Sequence, residues 1–309
     1  MLSRPIGALG LVEHSHSAPM TKKILITGCS SGFGFDAAKM LAAKGHHVYA
    51  TMRAVEGRNA QAATALRDFA TAAGAAITVL ELDVTSDESV AAAIAQVDDV
   101  DVLINNAGGG YGGPIESFSG DELLAQLDLN IVGTVRVSNA VLPMMRAKSD
   151  GLIIQVSSIA GRGASPGLGA YNASKWGLEG LSEAMRYELA PLGIDVVVVE
   201  PGPFKTKFID NMKPAANQEM LAAYAHVDAF FNGFVQMLSD MFENDDAPTD
   251  AGIVVELFAE LIDTPKGQRP FRTISGLDFG KQALNDATGP IRKASLEALN
   301  IADWDGPRG

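Results

Sequence analysis

A tyrosine and a lysine four residues apart, Tyr171 and Lys175, are the clearest candidates for chemistry in this chain. They lie at the start of a predicted helix, where residues four apart share one face, so the ammonium of Lys175 can lie close to the phenol of Tyr171. A nearby cation favours the phenolate and would pull a phenol pKa that is normally about 10 toward neutrality. Tyr171 can then exchange a proton with a substrate oxygen.

A glycine-rich segment follows the first predicted strand. It reads Gly28-Cys-Ser-Ser-Gly32-Phe-Gly34 and runs directly into a predicted helix. Glycines at these positions permit a tight turn, a close approach of backbone amides to a pyrophosphate, and close packing of helix on strand. A plain structural turn is the alternative, but the position after the first strand of a βαβ pattern favours dinucleotide binding.

Short β-branched runs alternate with alanine-rich stretches of helical length from Lys22 onward. The predicted strands are residues 24–27, 48–51, 77–80, 102–104, 152–156 and 194–199, and the predicted helices are 35–44, 59–73, 87–96, 121–148 and 171–190. Continuous apolar strands are typical of a parallel sheet covered on both faces. The pattern predicts an α/β fold, a doubly wound parallel sheet (Rossmann fold), in a single domain over 21–309.

Composition excludes several classes of function. The chain has 309 residues and a formal net charge of -13, so it lacks the basic surface that nucleic-acid binding requires. No run of about 18 uncharged apolar residues is present, which argues against a membrane-spanning helix. One cysteine, Cys29, and five histidines without metal-ligand spacing predict no disulfide and no metal site. We therefore expect a small-molecule partner and a reducing, cytoplasmic compartment.

The two ends of the chain depart from the alternating pattern. Residues 1–20 are predicted to form a disordered N-terminal arm, and 264–309 a C-terminal extension with a short helix near 291–299. Residues 204–247 are expected to form a helical substrate lid, in which the Asn232-Gly233 pair could separate two helices. Its apolar residues at helical spacing are either ordinary core or the wall of an apolar pocket; they are Met220, Tyr224, Val227, Phe231, Phe234, Leu238 and Met241.

Several motifs in this order resemble the short-chain dehydrogenase/reductase family, closely over residues 22–206. They are TGCSSGFG at 27–34, Asn105-Asn-Ala-Gly108, Ser158, Tyr171-Asn-Ala-Ser-Lys175 and Pro201-Gly202. The TGCSSG loop and the residues after the second strand are similar to those of NADP-dependent hydroxysteroid and retinol dehydrogenases. The glycine spacing is GxxxGxG, which departs from the usual GxGxxG fingerprint and is typical of this family.

The resemblance implies a set of four catalytic residues. Tyr171 transfers the proton, Ser158, thirteen residues earlier, holds the substrate carbonyl, and Asn130 positions Lys175 through a water relay. Lys175 also bonds the nicotinamide ribose. The neighbouring Ser157 is the less favoured serine, because alternation along an extended chain points it elsewhere.

The resemblance also implies a set of cofactor contacts. They are Gly28, Ser30, Ser31, Gly32, Phe33, Gly34, Arg53, Asp83, Val84, Asn106, Ala107, Gly108, Tyr171, Lys175, Pro201, Gly202, Phe204 and Thr206. The second strand ends in Thr51-Met-Arg53, without the acid that accepts from the ribose hydroxyls in NAD-specific relatives. Arg53 offers a fork suited to a phosphate and Ser31 a hydroxyl donor, so NADP(H) is favoured over NAD(H).

The expected activity is interconversion of a hydrophobic ketone or aldehyde and its alcohol, with hydride carried by NADP(H). Two alternatives are a ketoreductase of carrier-bound acyl chains and a catalytically idle NADP-binding regulator; an isomerase or dehydratase on the same fold is a third. The resemblance further implies a homodimer or homotetramer, paired through the helices predicted at 121–148 and 171–190. The sequence leaves the substrate, the stereochemistry and the physiological direction open.

Overall fold

Strands and helices alternate through the computed structural model, which describes residues 21–244 and 246–308. The strands are β1 (Lys23–Ile26), β2 (His47–Met52), β3 (Ala76–Glu81), β4 (Val102–Asn105), β5 (Tyr111–Gly112), β6 (Gly151–Val156), β7 (Ile194–Pro201), β8 (Lys213–Pro214) and β9 (Arg272–Ser275). The helices are α1 (Gly32–Ala43), α2 (Ala60–Ala73), α3 (Asp87–Ile94), α4 (Gly120–Leu127), α5 (Gly133–Lys148), α6 (Gly169–Leu189), α7 (Ala225–Phe242), α8 (Gly252–Asp263) and α9 (Lys281–Ala298). The arm predicted for residues 1–20 lies outside the described residues.

Among the described residues, seven strands form one parallel sheet in the order β3-β2-β1-β4-β6-β7-β9. The order reverses between β1 and β4, and in such sheets ligands bind in the crevice at the carboxyl ends of the strands on either side of the reversal. All residues of β7 are buried, as the continuous apolar strands predicted. The doubly wound α/β fold in one domain is therefore confirmed.

Helices cover both faces of the sheet and divide the core in two. Ile24 and Ile26 of β1 point to the face covered by α1, α2 and α8, where Leu41 and Phe258 are fully buried. Leu25 points to the opposite face, where α3, α5 and α6 pack. This alternation follows from the two-residue period of a strand, and it keeps β1 rigid up to the glycine-rich segment that follows it.

Three local predictions were wrong. Residues 121–148 are interrupted by a π-helical segment, Asp128–Val132, that joins α4 to α5. Helix α7 continues through Asn232-Gly233 without a break. The flanking residues of α7 have enough helix propensity to tolerate one glycine. The C-terminal region contributes strand β9 to the main sheet and a helix, α9, much longer than the one predicted near 291–299.

Across the part of the chain that the structure describes, no helix is both long enough and apolar enough to cross a bilayer.

Candidate active site

The four residues expected to act on a substrate come from three segments at the carboxyl end of the sheet. Ser158 begins the turn after β6, Tyr171 and Lys175 lie on the first turns of α6, and Asn130 lies in the π-helical segment. The widened turn of a π-helix is often found at functional sites, because it re-aims the side chains it carries. All four are brought to one side of the strand-order reversal.

The Ser158 hydroxyl faces the phenol of Tyr171. Its oxygen accepts a hydrogen bond from the backbone N–H of Ala160 at 3.1 Å, and its proton makes only a long contact of 3.4 Å with the carbonyl of Pro201. Ser157 is also buried, but its hydroxyl lies beside Gly161 and has no hydrogen-bond partner among the described residues. Ser158 is thus the serine that can present a proton next to Tyr171.

The pKa of Tyr171 moves in the direction opposite to the one expected from the sequence. Burial raises the pKa of the phenol to about 12, and the hydrogen bond with Ser158 offsets only part of that shift. The ammonium of Lys175 lies 5.8 Å from the centre of the tyrosine ring. The expected shift toward neutrality is therefore corrected: in this structure loss of hydration dominates over the nearby cation, and the phenol is protonated at neutral pH.

Lys175 is held at the base of the site by a backbone carbonyl. Its Nζ donates to the carbonyl of Val156, the last residue of β6, at 2.8 Å. Burial lowers the pKa of Lys175 to about 8, and the carboxylate of Glu179, one helical turn further along α6, acts in the opposite direction. The lysine charge is thus sensitive to pH near neutrality.

Asn130 connects the π-helical segment to the loop after β4 and to α6. Its side-chain oxygen accepts from the backbone N–H of Gly109 at 3.1 Å, and its amide group donates to the carbonyl of Gly109 and to the hydroxyl of Ser174, both at 2.9 Å. A Cβ atom on Gly108 would lie 3.2 Å from the Asn130 oxygen and 3.7 Å from the Lys175 nitrogen. Asn130 and Lys175 therefore border the same small space.

The glycine-rich segment after β1 is locked by the loop after β4. The Thr27 hydroxyl accepts from the backbone N–H groups of Asn106 and Ala107, and the Asn106 amide donates back to the carbonyls of Thr27 and Gly28. Gly28 has φ +76°, and a Cβ there would lie 2.8 Å from Ala107; a Cβ on Gly34 would lie 2.6 Å from the Asn106 amide nitrogen. Only glycine fits at these two positions.

The turn after β7 closes over the same segment. Phe204 packs edge to face on Phe33, with 5.5 Å between ring centroids, and a Cβ on Gly32 would touch the side chain of Thr206 at 3.8 Å. Gly202 lies so close to the carbonyl of Leu277 that a side chain could not fit. The turn after β7 and the glycine-rich segment are thus brought together at the first turn of α1, where helix backbone N–H groups lack a partner within the helix.

Arg53 and Asp83 face each other at the tips of β2 and β3. The guanidinium lies 3.9 Å from the carboxylate, and about half of the Arg53 side chain is exposed. Partial burial raises the pKa of Asp83, but the hydrogen bonds from Thr85 and the positive charges of Arg53 and Arg58 outweigh it and hold that pKa below its usual value. Ser31 precedes α1, and its side chain makes no capping hydrogen bond within the described chain.

Two other predicted contacts differ in what they offer a ligand. The Val84 side chain packs into the core against Gly133 and its carbonyl accepts from Arg136, so Val84 can offer backbone only. Ser30 lies in the loop between Gly28 and α1, where its hydroxyl makes no hydrogen bond to other described residues. Over residues 21–244 and 246–308, no three His, Cys, Asp or Glu side chains gather as metal ligands.

Sequence reasoning missed two polar residues that support the site. Gln126 is fully buried, accepts from the N–H of Tyr111 and donates to the carbonyl of Gly109. Its signal in the sequence is its position four residues before Asn130, on the same helical face. Ser174 holds Asn130, as described above, and also donates to the carbonyl of Tyr171.

The segment after Thr206 lies across the site. Phe208 packs on the Tyr171 ring with 5.1 Å between centroids, and Met212 fits against Gly110 and Gly112. Strand β8 pairs with β5 just beyond, through the N–H of Lys213 bonded to the carbonyl of Gly110. Within the apolar stripe, Leu238 is buried and the other six residues are half-buried. Val227 and Phe231 lie beside Gly167, in the turn before α6.

Comparisons with known proteins agree with this arrangement. The family profile described as short chain dehydrogenase matches residues 22–217. Human 17-beta-hydroxysteroid dehydrogenase type 1 is 34% identical over 274 residues, which cover 86% of this chain and 82% of that protein. The 3-ketodihydrosphingosine reductase of Bacteroides thetaiotaomicron is 42% identical over 192 residues, 61% of this chain and 66% of its own length.

Solved structures share the fold. A short-chain dehydrogenase from Streptomyces avermitilis superposes with a TM-score of 0.71 at 30% identity, covering 92% of this chain and 98% of its own. A gluconate 5-dehydrogenase from Burkholderia cenocepacia, in complex with NADP and tartrate, superposes with a TM-score of 0.56 at 32% identity, covering 60% of this chain and 73% of its own.

Proposed function

The chain belongs to the short-chain dehydrogenase/reductase family of oxidoreductases, and from this premise we propose that it interconverts a hydrophobic ketone or aldehyde and its alcohol with NADP(H). The observation that carries the proposal is the meeting of three side chains: the Ser158 hydroxyl faces the Tyr171 phenol, and the Lys175 ammonium lies 5.8 Å from the centre of the same ring.

Each residue has a separate task in the proposed reaction. Tyr171 donates its phenolic proton to the carbonyl oxygen during reduction and takes it back during oxidation. Ser158 donates a hydrogen bond to that oxygen, since its own oxygen is occupied by the Ala160 N–H and its proton is only weakly engaged. Lys175 provides positive charge below the ring, and Asn130 fixes the loop beside Lys175 through Gly109.

The crevice suits a dinucleotide. Gly28 and Gly34 let the glycine-rich segment pack directly against Asn106 and Ala107, where a Cβ would collide, and this packing places the segment at the first turn of α1, whose backbone N–H groups would bind a pyrophosphate. When bound, the nicotinamide supplies or accepts the hydride. The residues that would hold the cofactor are the set predicted from the sequence, with Val84 contributing backbone only.

The preference for NADP(H) is supported by Arg53 and Ser31. Both carry unfilled donors at the adenosine end of the crevice, and among the described residues the one carboxylate that pairs with Arg53, that of Asp83, is 3.9 Å away. The gluconate 5-dehydrogenase that shares the fold was solved with NADP. A guanidinium with free N–H groups binds a phosphate in two-point fashion, whereas it gains little from a ribose hydroxyl.

Arg53→Ala is expected to weaken NADPH binding by about tenfold and to leave NADH binding unchanged, because an exposed phosphate contact is partly screened by solvent. Fluorescence titration with both nucleotides measures this. Arg67→Ala is the matched control, since its side chain is exposed to nearly the same degree, 47% against 49%, and pairs with Glu56 instead. Equal losses for NADPH and NADH in Arg53→Ala would contradict a role in phosphate recognition.

The two directions of the reaction are expected to respond differently to pH. Because burial raises the pKa of Tyr171 to about 12, the phenol is protonated at neutral pH and ready for reduction. The kcat of carbonyl reduction should stay flat from about pH 6 to 7 and decrease as Lys175, whose pKa is lowered to about 8 by burial, loses its charge, while that of alcohol oxidation, which needs the phenolate, should rise with pH. Rate profiles in both directions measure this. Loss of the reduction rate near neutrality would indicate a phenol pKa near 7.

The proposed substrate class is inferred from the apolar side chains that lie over the site. Phe208 and Met212 present soft apolar surface directly beside the Tyr171 phenol, which favours a hydrophobic carbonyl compound over a sugar. The named substrates of the relatives, a hydroxysteroid and a ketodihydrosphingosine, are both of that kind.

The test is a fluorescence titration with NADPH and NADH followed by turnover on a panel of apolar ketones, aldehydes and alcohols. NADPH binding with turnover of free carbonyls supports the proposal. Turnover of acyl thioesters alone would favour the carrier-dependent ketoreductase, and binding without any turnover would favour the regulator. Binding of neither nucleotide would contradict the whole proposal.

We also propose a homodimer or homotetramer that pairs through α5 and α6. The exposed Trp176 on α6 and Val132 beside α5 support this surface, and light scattering of the purified protein tests it. A reducing compartment, the cytoplasm, suits a chain whose only cysteine is the buried Cys29.

A further inference from the structure

A buried carboxyl group, that of Glu200, lies one residue before the Pro201-Gly202 turn and takes no part in the proposed reaction. Its side chain is 0% exposed. Arg272 of β9 lies between it and α6: the Arg272 Nε is 2.8 Å from an oxygen of Glu179 and 3.6 Å from an oxygen of Glu200. The second nitrogen of Arg272 pairs with Glu183. Nε of Arg162, in the turn after β6, lies 3.9 Å from the same Glu200 oxygen, so Glu200 faces charged groups from three neighbouring segments.

The C-terminal helix α9 completes the surroundings of Glu200. The side-chain oxygen of Asn285 accepts from Nε of Arg162 at 2.8 Å, and its amide group donates to Glu200 at 2.5 Å. One turn further along α9, the Thr288 hydroxyl accepts from Nη2 of Arg162 at 3.0 Å. A carboxamide can accept from a guanidinium and donate to a carboxylate at once, which neither an aspartate nor an apolar side chain can do.

The two partners of Asn285 lie in two segments that border Ser158, the turn that follows it and the end of β7. Arg162 ends the short turn that begins at Ser158, and Glu200 precedes Pro201, whose carbonyl contacts the Ser158 hydroxyl. Asn285 thus links the turn after Ser158 to the end of β7, which leads into the Pro201-Gly202 turn. Helix α9 lies outside residues 22–217, which the family profile matches.

We propose that Asn285 is a positioning residue, which fixes the Ser158 turn relative to the Pro201-Gly202 turn by bridging Arg162 and Glu200. Through this bridge the C-terminal helix sets the distance at which Ser158 meets a substrate oxygen. The kinetic consequence rests on the proposed function; the structural consequence, immobilisation of the two turns, does not. Asn285 touches no reacting atom and acts only through its two partners.

Because Glu200 is titratable, loss of the Asn285 bridge should change how the stability of the protein depends on pH. Burial and the neighbouring Glu179 carboxylate together raise the pKa of Glu200 to about 7, although the hydrogen bond from Asn285 and the charges of Arg272 and Arg162 act in the opposite direction. Removal of Asn285 therefore lets Glu200 keep its proton to a higher pH. Since its pKa in the folded protein lies above the unfolded value, Glu200 contributes stability that decreases as pH rises toward that pKa. Without Asn285 this decrease must extend to higher pH.

The kinetic test compares Asn285→Ala and Asn285→Asp with Gln282→Ala, which changes an exposed residue of the same helix. We expect kcat for carbonyl reduction to fall about tenfold in both Asn285 variants, since catalysis is sensitive to small misplacements, with KM changed far less. Gln282→Ala should match the wild type. Thr288→Val removes a single bond to Arg162 and serves as the milder variant if the Asn285 variants fold poorly.

A second measurement needs no turnover. Hydrogen exchange of peptides covering residues 159–163 and 200–204 should become faster in Asn285→Ala than in Gln282→Ala, and the fall of stability with pH should extend above pH 7. Unchanged exchange in both turns, or a kcat equal to that of Gln282→Ala, would overturn the proposal. A wild-type protein without turnover contradicts the proposed function, while the exchange result still decides the role of Asn285.

Discussion

Tyr171→Phe is expected to lower kcat by about 10²- to 10⁴-fold, the range typical for loss of a positioned acid or base, while NADPH binding weakens by no more than about tenfold, because Tyr171 is one of many predicted cofactor contacts. The substitution removes only the phenolic oxygen. The ring keeps its packing against Phe208 at 5.1 Å and its place above Lys175, so the fold around the site should persist. Steady-state kinetics on the best substrate of the panel, together with an NADPH titration, measure both effects.

Tyr187→Phe is the matched control, because it makes the same change on the same helix. The Tyr187 hydroxyl donates to Glu183 at 2.9 Å and accepts from Arg292 at 3.1 Å, away from the proposed site. Its loss should lower the free energy of unfolding by about 1 kcal/mol and leave kcat close to the wild-type value. A Tyr171→Phe variant with kcat within a few-fold of the control would show that the proton comes from another group, such as water.

The sheet up to β7 and the meeting of Tyr171 with Lys175 could be predicted because both depend on local sequence. Strands such as β6 and β7 are continuous apolar runs, because both faces of a parallel strand inside the sheet are buried. The pair on α6 is four residues apart, so the helix alone brings both side chains to one face. The tight turn and close packing at Gly28 and Gly34 were predicted from the position of these glycines directly after the first strand.

Features that depend on distant parts of the chain could not be predicted in this way. Strand β9 has only four residues between Pro270 and Gly276, and it exists because it pairs with β7. Helix α9 contains Gly289 and Pro290, which in sequence mark a break. The expected direction of the Tyr171 pKa shift was wrong for a similar reason. The neighbouring lysine can be read from the sequence, whereas the burial of the phenol depends on distant residues.

Gly34→Ala is expected to lose most cofactor binding and some stability. The new methyl group would lie 2.6 Å from both the Asn106 amide nitrogen and the carbonyl oxygen of Gly28, and backbone cannot move aside as a flexible side chain can. Overpacking of this kind costs about 1–3 kcal/mol. Because Asn106 ties the glycine-rich segment to the loop after β4, a strain of that size at the pyrophosphate position should weaken NADPH binding by up to about a hundredfold.

Gly233→Ala provides a control in which the sign of the stability effect is reversed. Gly233 lies inside α7, and a methyl group there would meet none of the described atoms within 4 Å. An alanine in a helix interior should therefore raise the free energy of unfolding by about 0.5–1 kcal/mol, with NADPH binding unchanged. Chemical denaturation and NADPH titration of both variants measure the contrast. A methyl group on Gly34 cannot be accommodated without displacing the backbone that the cofactor must approach. If Gly34→Ala bound NADPH as well as Gly233→Ala does, the glycine-rich segment would therefore not be the pyrophosphate site.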